Sequence, residues 1–439
     1  LVQYLDFGEL KVFSTALGQH NAITIFKKGN DFSRNLETII TKRNGHLELS
    51  TFNEIISGKD FLSDYYEVNQ SEIYEGKQNY LRIKGFKGGN SISERIFNAF
   101  KSLPLITEYA HVRQGLRTGI DKITDSHLKK FDLHFEKGEG VFILNQSECI
   151  KNGFMSDTLL RRLYKNSDIN KYFVNDESQY RILYIDKSFT YNKLYSNHKD
   201  IILHLEKYKK LICNIRGSNN ESLTDWFTLD RPREEWIFTS EKIVAPQRSK
   251  KNTFGYSNTD FFGSADIYYI IPFDNNVSAK YLTTVLNSKL YYFWYYNKGK
   301  RKGEMLELYQ QPLSETPIKI ASFNSIYEYL LDAIIVIGKT NYKIDSAIPN
   351  KHLSEAFEEV IDALVFELYF PEEFAEKGIE IEKYAKVIFK PIDGLSEAEQ
   401  IKAIQRTYET LGEKDNPLRN QIKLMKIELK ELLLPILSV

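Results

Sequence analysis

The period of the hydrophobic pattern changes near Phe323, and a chain with such a change must combine two kinds of layer. Beyond it the pattern is helical: Phe357, Val360, Ile361, Leu364, Val365 and Leu368 recur at i, i+3, i+4, i+7 spacing and stop at Pro371. Ser354 is expected to cap that helix, Ser396 and Glu399 to form a capping box for the next, and Gly412 to close it. Asn416 and Pro417 should open a last helix that Pro435 ends. Before the change, residues 105–320 alternate short strands, turns and brief helices. Segments 241–249 and 252–257 flank Lys250 and Lys251, which places two cations at an expected hairpin tip. Ser278 caps an expected single helix carrying Tyr281, Leu282, Val285, Leu286, Leu290 and Phe293, which runs into a basic loop.

Residues 1–28 alternate as a strand pair, too short to bury itself and expected to complete a sheet of residues outside the chain. Residues 30–105 are mixed, with a Gly-rich turn at 85–90, a short helix over 93–100 and a boundary at Pro104. At 439 residues the chain is too long for one ordinary core. The expected class is therefore α+β, divided into 1–30, 31–104, a mixed domain over 105–322 and a helical domain over 323–439.

Basic and acidic residues are equal at 59 each, so overall charge names no partner, but its distribution is uneven. From Lys351 onward there are 12 basic and 18 acidic residues, which leaves the first 350 mildly basic. That asymmetry allows a polyanion-facing body and an acidic helical cap. Cys149 and Cys213 lie far apart without metal-ligand spacing, which fits a reducing cytoplasm and neither a disulfide framework nor a zinc site. The longest apolar run, near 329–338, is too short to cross a bilayer.

Catalytic motifs are scarce. No G-x-S-x-G, Walker A, H-E-x-x-H or strand-borne G-x-G-x-x-G occurs. Gly85, Gly88 and Gly89 lack a surrounding βαβ unit, so an ordinary turn is expected there. Glu428 and Lys430 have the Glu-x-Lys spacing of a metal-dependent nuclease but lie on an amphipathic helix, where a solvated face is expected. The pairs His127 with His134 and His198 with His204 lack a third ligand and zinc spacing.

Basic clusters say more. Arg113, Arg117 and Lys122 surround Gly115 and Gly119, where backbone and guanidinium can approach a phosphate or a base edge together. Lys298, Lys300, Arg301 and Lys302 follow the aromatic run 291–296, joining charge to flat rings. A solvated loop after a core helix is the competing reading of that second cluster.

Taken in order, six segments resemble the C-terminal part of the TaqI-like adenine-specific DNA methyltransferases, shared with many type IIG restriction-modification enzymes. Residues 1–28 resemble the last strands of the catalytic domain. HVRQGLRTGIDKI (111–123) resembles the family's QG-x-x-TG-x-(N/D)-K start of the recognition domain, and LLRRLYKNSDINKYF (159–173) its G-x-D-I-x-x-Y segment. Segment 241–256 resembles a KI-x-x-P strand and hairpin, 286–290 an LNS helix, and 313–318 a closing strand. One departure is Lys165-Asn166-Ser167, which stands where the family has a glycine.

The resemblance implies a target-recognition module that binds double-stranded DNA, with Arg113, Arg117, Lys122, Arg161, Arg162, Lys171, Arg248, Lys250, Lys251, Lys300, Arg301 and Lys302 as candidate contacts. The Asn/Asp-Pro-Pro-Tyr/Phe motif that grips a flipped adenine in this family is absent, as is its Gly-rich S-adenosylmethionine loop. An N-terminal truncation is therefore expected, with residues 1–30 left from a Rossmann-like sheet and no cofactor or activity in this chain alone. The intact enzyme would use S-adenosylmethionine, and Mg²⁺ if it also cleaves. The alternatives are a protein-interaction module built on the acidic helices, and a phage-defence methyltransferase without a nuclease.

Overall fold

The structure is a computed structural model that describes every residue except 16–19, 30–34, 71–72, 76–79, 82–91, 132–134, 218–223, 275 and 346. The Gly-rich turn at 85–90 and His134 thus lie outside the described residues. Two compact units form. One comprises Leu1–Ser102, Arg301–Met305 and Lys430–Val439, the other Leu103–Lys300 and Leu306–Leu429.

In the smaller unit, alternation along Gln3–Asp6 builds the middle of a sheet. That strand pairs antiparallel with Ala22–Ile25 and parallel with Leu36–Thr41, which pairs in turn with Ser63–Val68. The strand pair expected over residues 1–28 is present, and its sheet continues through later strands of this chain. Leu5, Phe7, Leu10, Ile39 and Ile55 form the core on one face, with Ile55 supplied by the helix Leu49–Ile56. Arg43 meets the buried Asp60 at 2.8 Å, and that hydrogen bond holds the Asp60 carboxyl below its usual range.

Among the described residues, the larger unit holds one five-stranded and one four-stranded sheet. One runs in the order Tyr172–Phe173, Gly255–Ser257, Lys242–Pro246, Ile267–Pro272, Ala110–Gln114; the other Phe262–Gly263, Leu160–Tyr164, Tyr180–Leu183, Ile143–Asn145. Their strands share a core with the helices Tyr191–Asn197, Lys199–Glu206 and Lys209–Ile215, in which Val244, Tyr269, Leu163, Ile182, Ile202 and Ile212 are all fully covered. Helices from Ala279 to Glu428 make up most of the rest, so the class is mixed α+β, as expected. Among the described residues, no helix is long and apolar enough to cross a membrane.

Several local expectations need correction. The helix after Ser278 is two helices, Ala279–Leu286 and Lys289–Lys298. Asn287 is the C-cap of the first helix, its side chain hydrogen-bonded to both backbone groups of Phe254; Asn252 donates to the carbonyls of Leu286 and Ser288, and Ser288 caps the second helix. These polar groups would be orphaned if the first helix ran on. Ser354 does not cap: Pro349 starts the helix Asn350–Tyr369, and the Asn350 side chain ties down the preceding turn through Ile344 and Tyr342. The last helix is also two, Pro417–Glu428 and Lys430–Leu437, with Pro435 inside the second. Segment 313–318 is no strand, because 310–314 is helical and Pro317 makes a single bridge to Leu105.

Candidate nucleic-acid interface

The Gln-Gly pair at the end of the edge strand Ala110–Gln114 is where sequence dictates geometry most tightly. Leu116 donates to the Gly263 carbonyl at 3.0 Å and Gly115 to that of Ile267 at 2.9 Å. This draws the two backbones so close that a Cβ on Gly115 would lie 2.1 Å from the Ser264 oxygen. Only glycine fits. The turn continues through Thr118, whose hydroxyl donates to Asp121 at 2.5 Å, and through Gly119 at φ +86°. Arg216 supports it by donating to the carbonyls of Thr118, Asp225 and Thr228, and burial pushes its guanidinium pKa down.

On this frame Arg117 is exposed and meets Asp230 at 3.4 Å. Lys122 is exposed, without a side-chain partner among the described residues. Arg113 lies 6.0 Å from the centre of the Trp236 ring, and His111, on the same face of the strand, packs against both Trp236 and Phe273. Both Trp236 and Phe273 are partly open to solvent, at 38% and 51% of their surface.

A chain of contacts leads from this motif to the second basic cluster. Arg233 donates to the Gln114 side-chain oxygen at 3.1 Å, and the Gln114 amide donates to the Tyr268 hydroxyl at 3.2 Å. The Tyr268 ring meets Tyr309 edge-on, and the Tyr309 hydroxyl donates to Glu307 at 3.0 Å. Arg248 and Lys300 share that same carboxylate at 3.2 and 3.3 Å. Burial pushes the Glu307 carboxyl up, but hydrogen bonds from Tyr309, Lys300 and Arg248 outweigh it and hold it below its usual value. The strip thus carries two cations, Arg248 and Lys300, on one carboxylate, and a third, Arg233, at its Gln114 end. Gln114 stood out only as part of the Gln-Gly pattern and Arg233 not at all, because 119 positions separate the two partners.

The remaining candidates scatter. Arg161 pairs with Glu235 at 2.9 Å over the Phe262 ring, and Arg162 with Glu177 at 3.5 Å. Lys250 and Lys251 are exposed at the turn between the paired strands Lys242–Pro246 and Gly255–Ser257. Lys171 is turned inward, bound to Glu358 on the long helix Asn350–Tyr369. Arg301 and Lys302 form a short strand assigned to the smaller unit. Both cysteines are buried and outside any disulfide, and no group of three or more metal-ligating side chains occurs among the described residues.

Lys242, from the KI-x-x-P segment, is fully buried and donates to the carbonyls of Ser240 and Thr259. Burial pushes its ammonium down to about 8 from the ordinary 10.5. Between those values the unfolded chain keeps a proton that the native state has released, so this group makes stability rise with pH there. We expect Lys242→Met to remove a slope on the order of 1 kcal/mol per pH unit across that window, measured as the difference between wild-type and variant urea curves. Parallel curves for the two proteins would refute it.

A family model described as the TaqI-like C-terminal specificity domain matches residues 161–318. Among curated proteins, the type II methyltransferase M.HindII of Haemophilus influenzae (strain ATCC 51907 / DSM 11121 / KW20 / Rd) is 27% identical over 213 residues, 47% of this chain and 37% of that protein. M.HincII of Haemophilus influenzae is 28% identical over 156 residues, 34% of this chain and 28% of that protein. The match therefore spans about a third of these relatives' length. Among solved structures, the type IIL restriction-modification enzyme MmeI in complex with DNA aligns over 93% of this chain and 46% of its own, at 15% identity and a TM-score of 0.44. The type IIG restriction endonuclease BpuSI aligns over 84% and 44%, at 11% identity and a TM-score of 0.37.

Proposed function

We propose, from the premise that a TaqI-like specificity domain occupies residues 161–318, that this chain recognises and positions DNA for an adenine-specific methyltransferase of a restriction-modification system. The observation that carries the reading is that match, and the cationic strip of Arg233, Arg248 and Lys300 supports it. Lysines would hold phosphates and set the register, while a few planar groups would read base edges. The sequence contains no Pro-Pro pair, so the group that grips a flipped adenine is assigned to another part of the enzyme, together with S-adenosylmethionine.

Binding of a labelled duplex pool to this chain, followed against salt, tests the reading. Lys250 and Lys251 should each release about one counterion, so changing both to Ala should flatten the log–log salt slope by roughly 2 and weaken all sequences alike. No binding at low salt would instead favour a protein-interaction module built on the acidic helices. The methylated base made by the intact enzyme should be N6-methyladenine, and a methylcytosine product would overturn the adenine assignment.

A further inference from the structure

Arg233 is one of two non-glycine residues at positive φ among the described residues, at +59°, a conformation that costs an arginine on the order of 1 kcal/mol. Its surroundings over-determine it. The Tyr184 hydroxyl donates to the Arg233 carbonyl at 2.9 Å. The guanidinium is clamped along one edge, Nε donating to the Gly115 carbonyl at 3.4 Å and Nη2 to the Gln114 oxygen at 3.1 Å. Gln114 cannot turn its amide over, because its nitrogen already donates to the Ala265 carbonyl at 2.9 Å and to Tyr268.

Arg233 also differs in charge pairing from most of the arginines that the sequence singled out, Arg113 among the exceptions. Arg117, Arg161, Arg162 and Arg248 each have a carboxylate, whereas among the described residues none pairs with Arg233. Arg216, which props up the turn, has both terminal nitrogens on backbone carbonyls, whereas Arg233 is bound along one edge only and leaves Nη1 without a partner among the described residues. A phosphate contact needs only a mobile charge, which the exposed Lys250 and Lys251 supply. A flat fork held by one edge suits a planar pair of acceptors instead.

We infer that Arg233 reads a base in the major groove, its free guanidinium edge donating to O6 and N7 of a guanine. This rests on the DNA-recognition reading above. It makes Arg233 a specificity-determining residue, with Gln114 and Gly115 as the groups that position it.

Selection from duplexes with a randomised window of about ten base pairs, by wild type, Arg233→Gly and Arg233→Lys, tests the assignment. Glycine accepts the positive φ, so Arg233→Gly removes the side chain without backbone strain and should not lower the melting temperature. Wild type should enrich a motif containing guanine. Arg233→Gly should lose about 10- to 100-fold of the preference for that one guanine and keep the rest of the motif, with random-sequence binding within about threefold. Arg233→Lys should retain the charge and still lose most of the preference. Uniform weakening would make Arg233 a phosphate contact, and a lowered melting temperature with the motif intact would make it a strut; either overturns the inference. An intact motif in all three proteins overturns it while leaving the DNA-recognition reading standing, whereas a wild type that enriches nothing overturns both.

Discussion

Replacing Phe238 by alanine is expected to destabilise the larger unit by roughly 3 to 5 kcal/mol, the range for emptying a fully buried phenylalanine site. Phe238 has no exposed surface; it stacks on Phe262 at 4.8 Å and meets Tyr269 and Tyr184 edge-on at 5.4 and 6.2 Å. Phe262 and Tyr269 lie on strands of the two different sheets and Tyr184 directly follows the strand Tyr180–Leu183, so their closure over a void is hindered from both sheets. Phe238 also fastens the short helix Trp236–Thr239 that follows Arg233. Urea denaturation should show a fallen midpoint with an unchanged slope, and Phe238→Leu should lose less than half as much. A loss under about 1 kcal/mol would mean that the site collapses freely and that this ring cluster does not anchor the helix.

Gly115→Ala is expected to cost about 3 kcal/mol, at the upper end of overpacking, because the added Cβ would meet backbone on all three nearest sides. The Ser264 and Gly263 oxygens would lie 2.1 and 2.5 Å away and the Ser264 carbonyl carbon 2.8 Å. Neither side can yield cheaply, since Gly115 and Leu116 both donate across the contact to Ile267 and Gly263. Separation would carry the Gly115 carbonyl away from Arg233, so binding selectivity should fall along with stability. Gly217, at φ +79° with nothing near its Cβ position, is the control for a substitution that meets strain without a clash. Equal losses at the two sites would show that close approach is not what selects glycine at 115.

What could be read in advance follows from how far each cause lies along the chain. The box between Ser396 and Glu399, the Ser278 cap and the Asn416-Pro417 start are complete within four residues, and each is present. The break at Asn287 was hidden because its cause, the backbone of Phe254, lies 33 positions away. Lys171 looked like a surface cation, yet its partner Glu358 is 187 positions distant. Arg233 was hidden for a further reason, since positive φ is usually signalled by glycine and here falls on an arginine after Pro232. The Gln-Gly motif itself was legible as a pattern, but its meaning depends on the carbonyls of Gly263 and Ser264 across the sheet.

The edge strand Ala110–Gln114 lies outside residues 161–318, yet it pairs with Ile267–Pro272 at five successive positions. Ile143–Asn145, likewise outside, supplies an edge of the second sheet against Tyr180–Leu183. The segment that sequence comparison picks out is therefore not the inheritable unit. A crossover at residue 161 that exchanged specificity between two such proteins would give each sheet an edge strand from the other parent, and a poor match there would leave loosened borders prone to self-association. A crossover near Leu103 would carry both strands with their partners, so recombination that trades targets without ruining the fold should favour that seam.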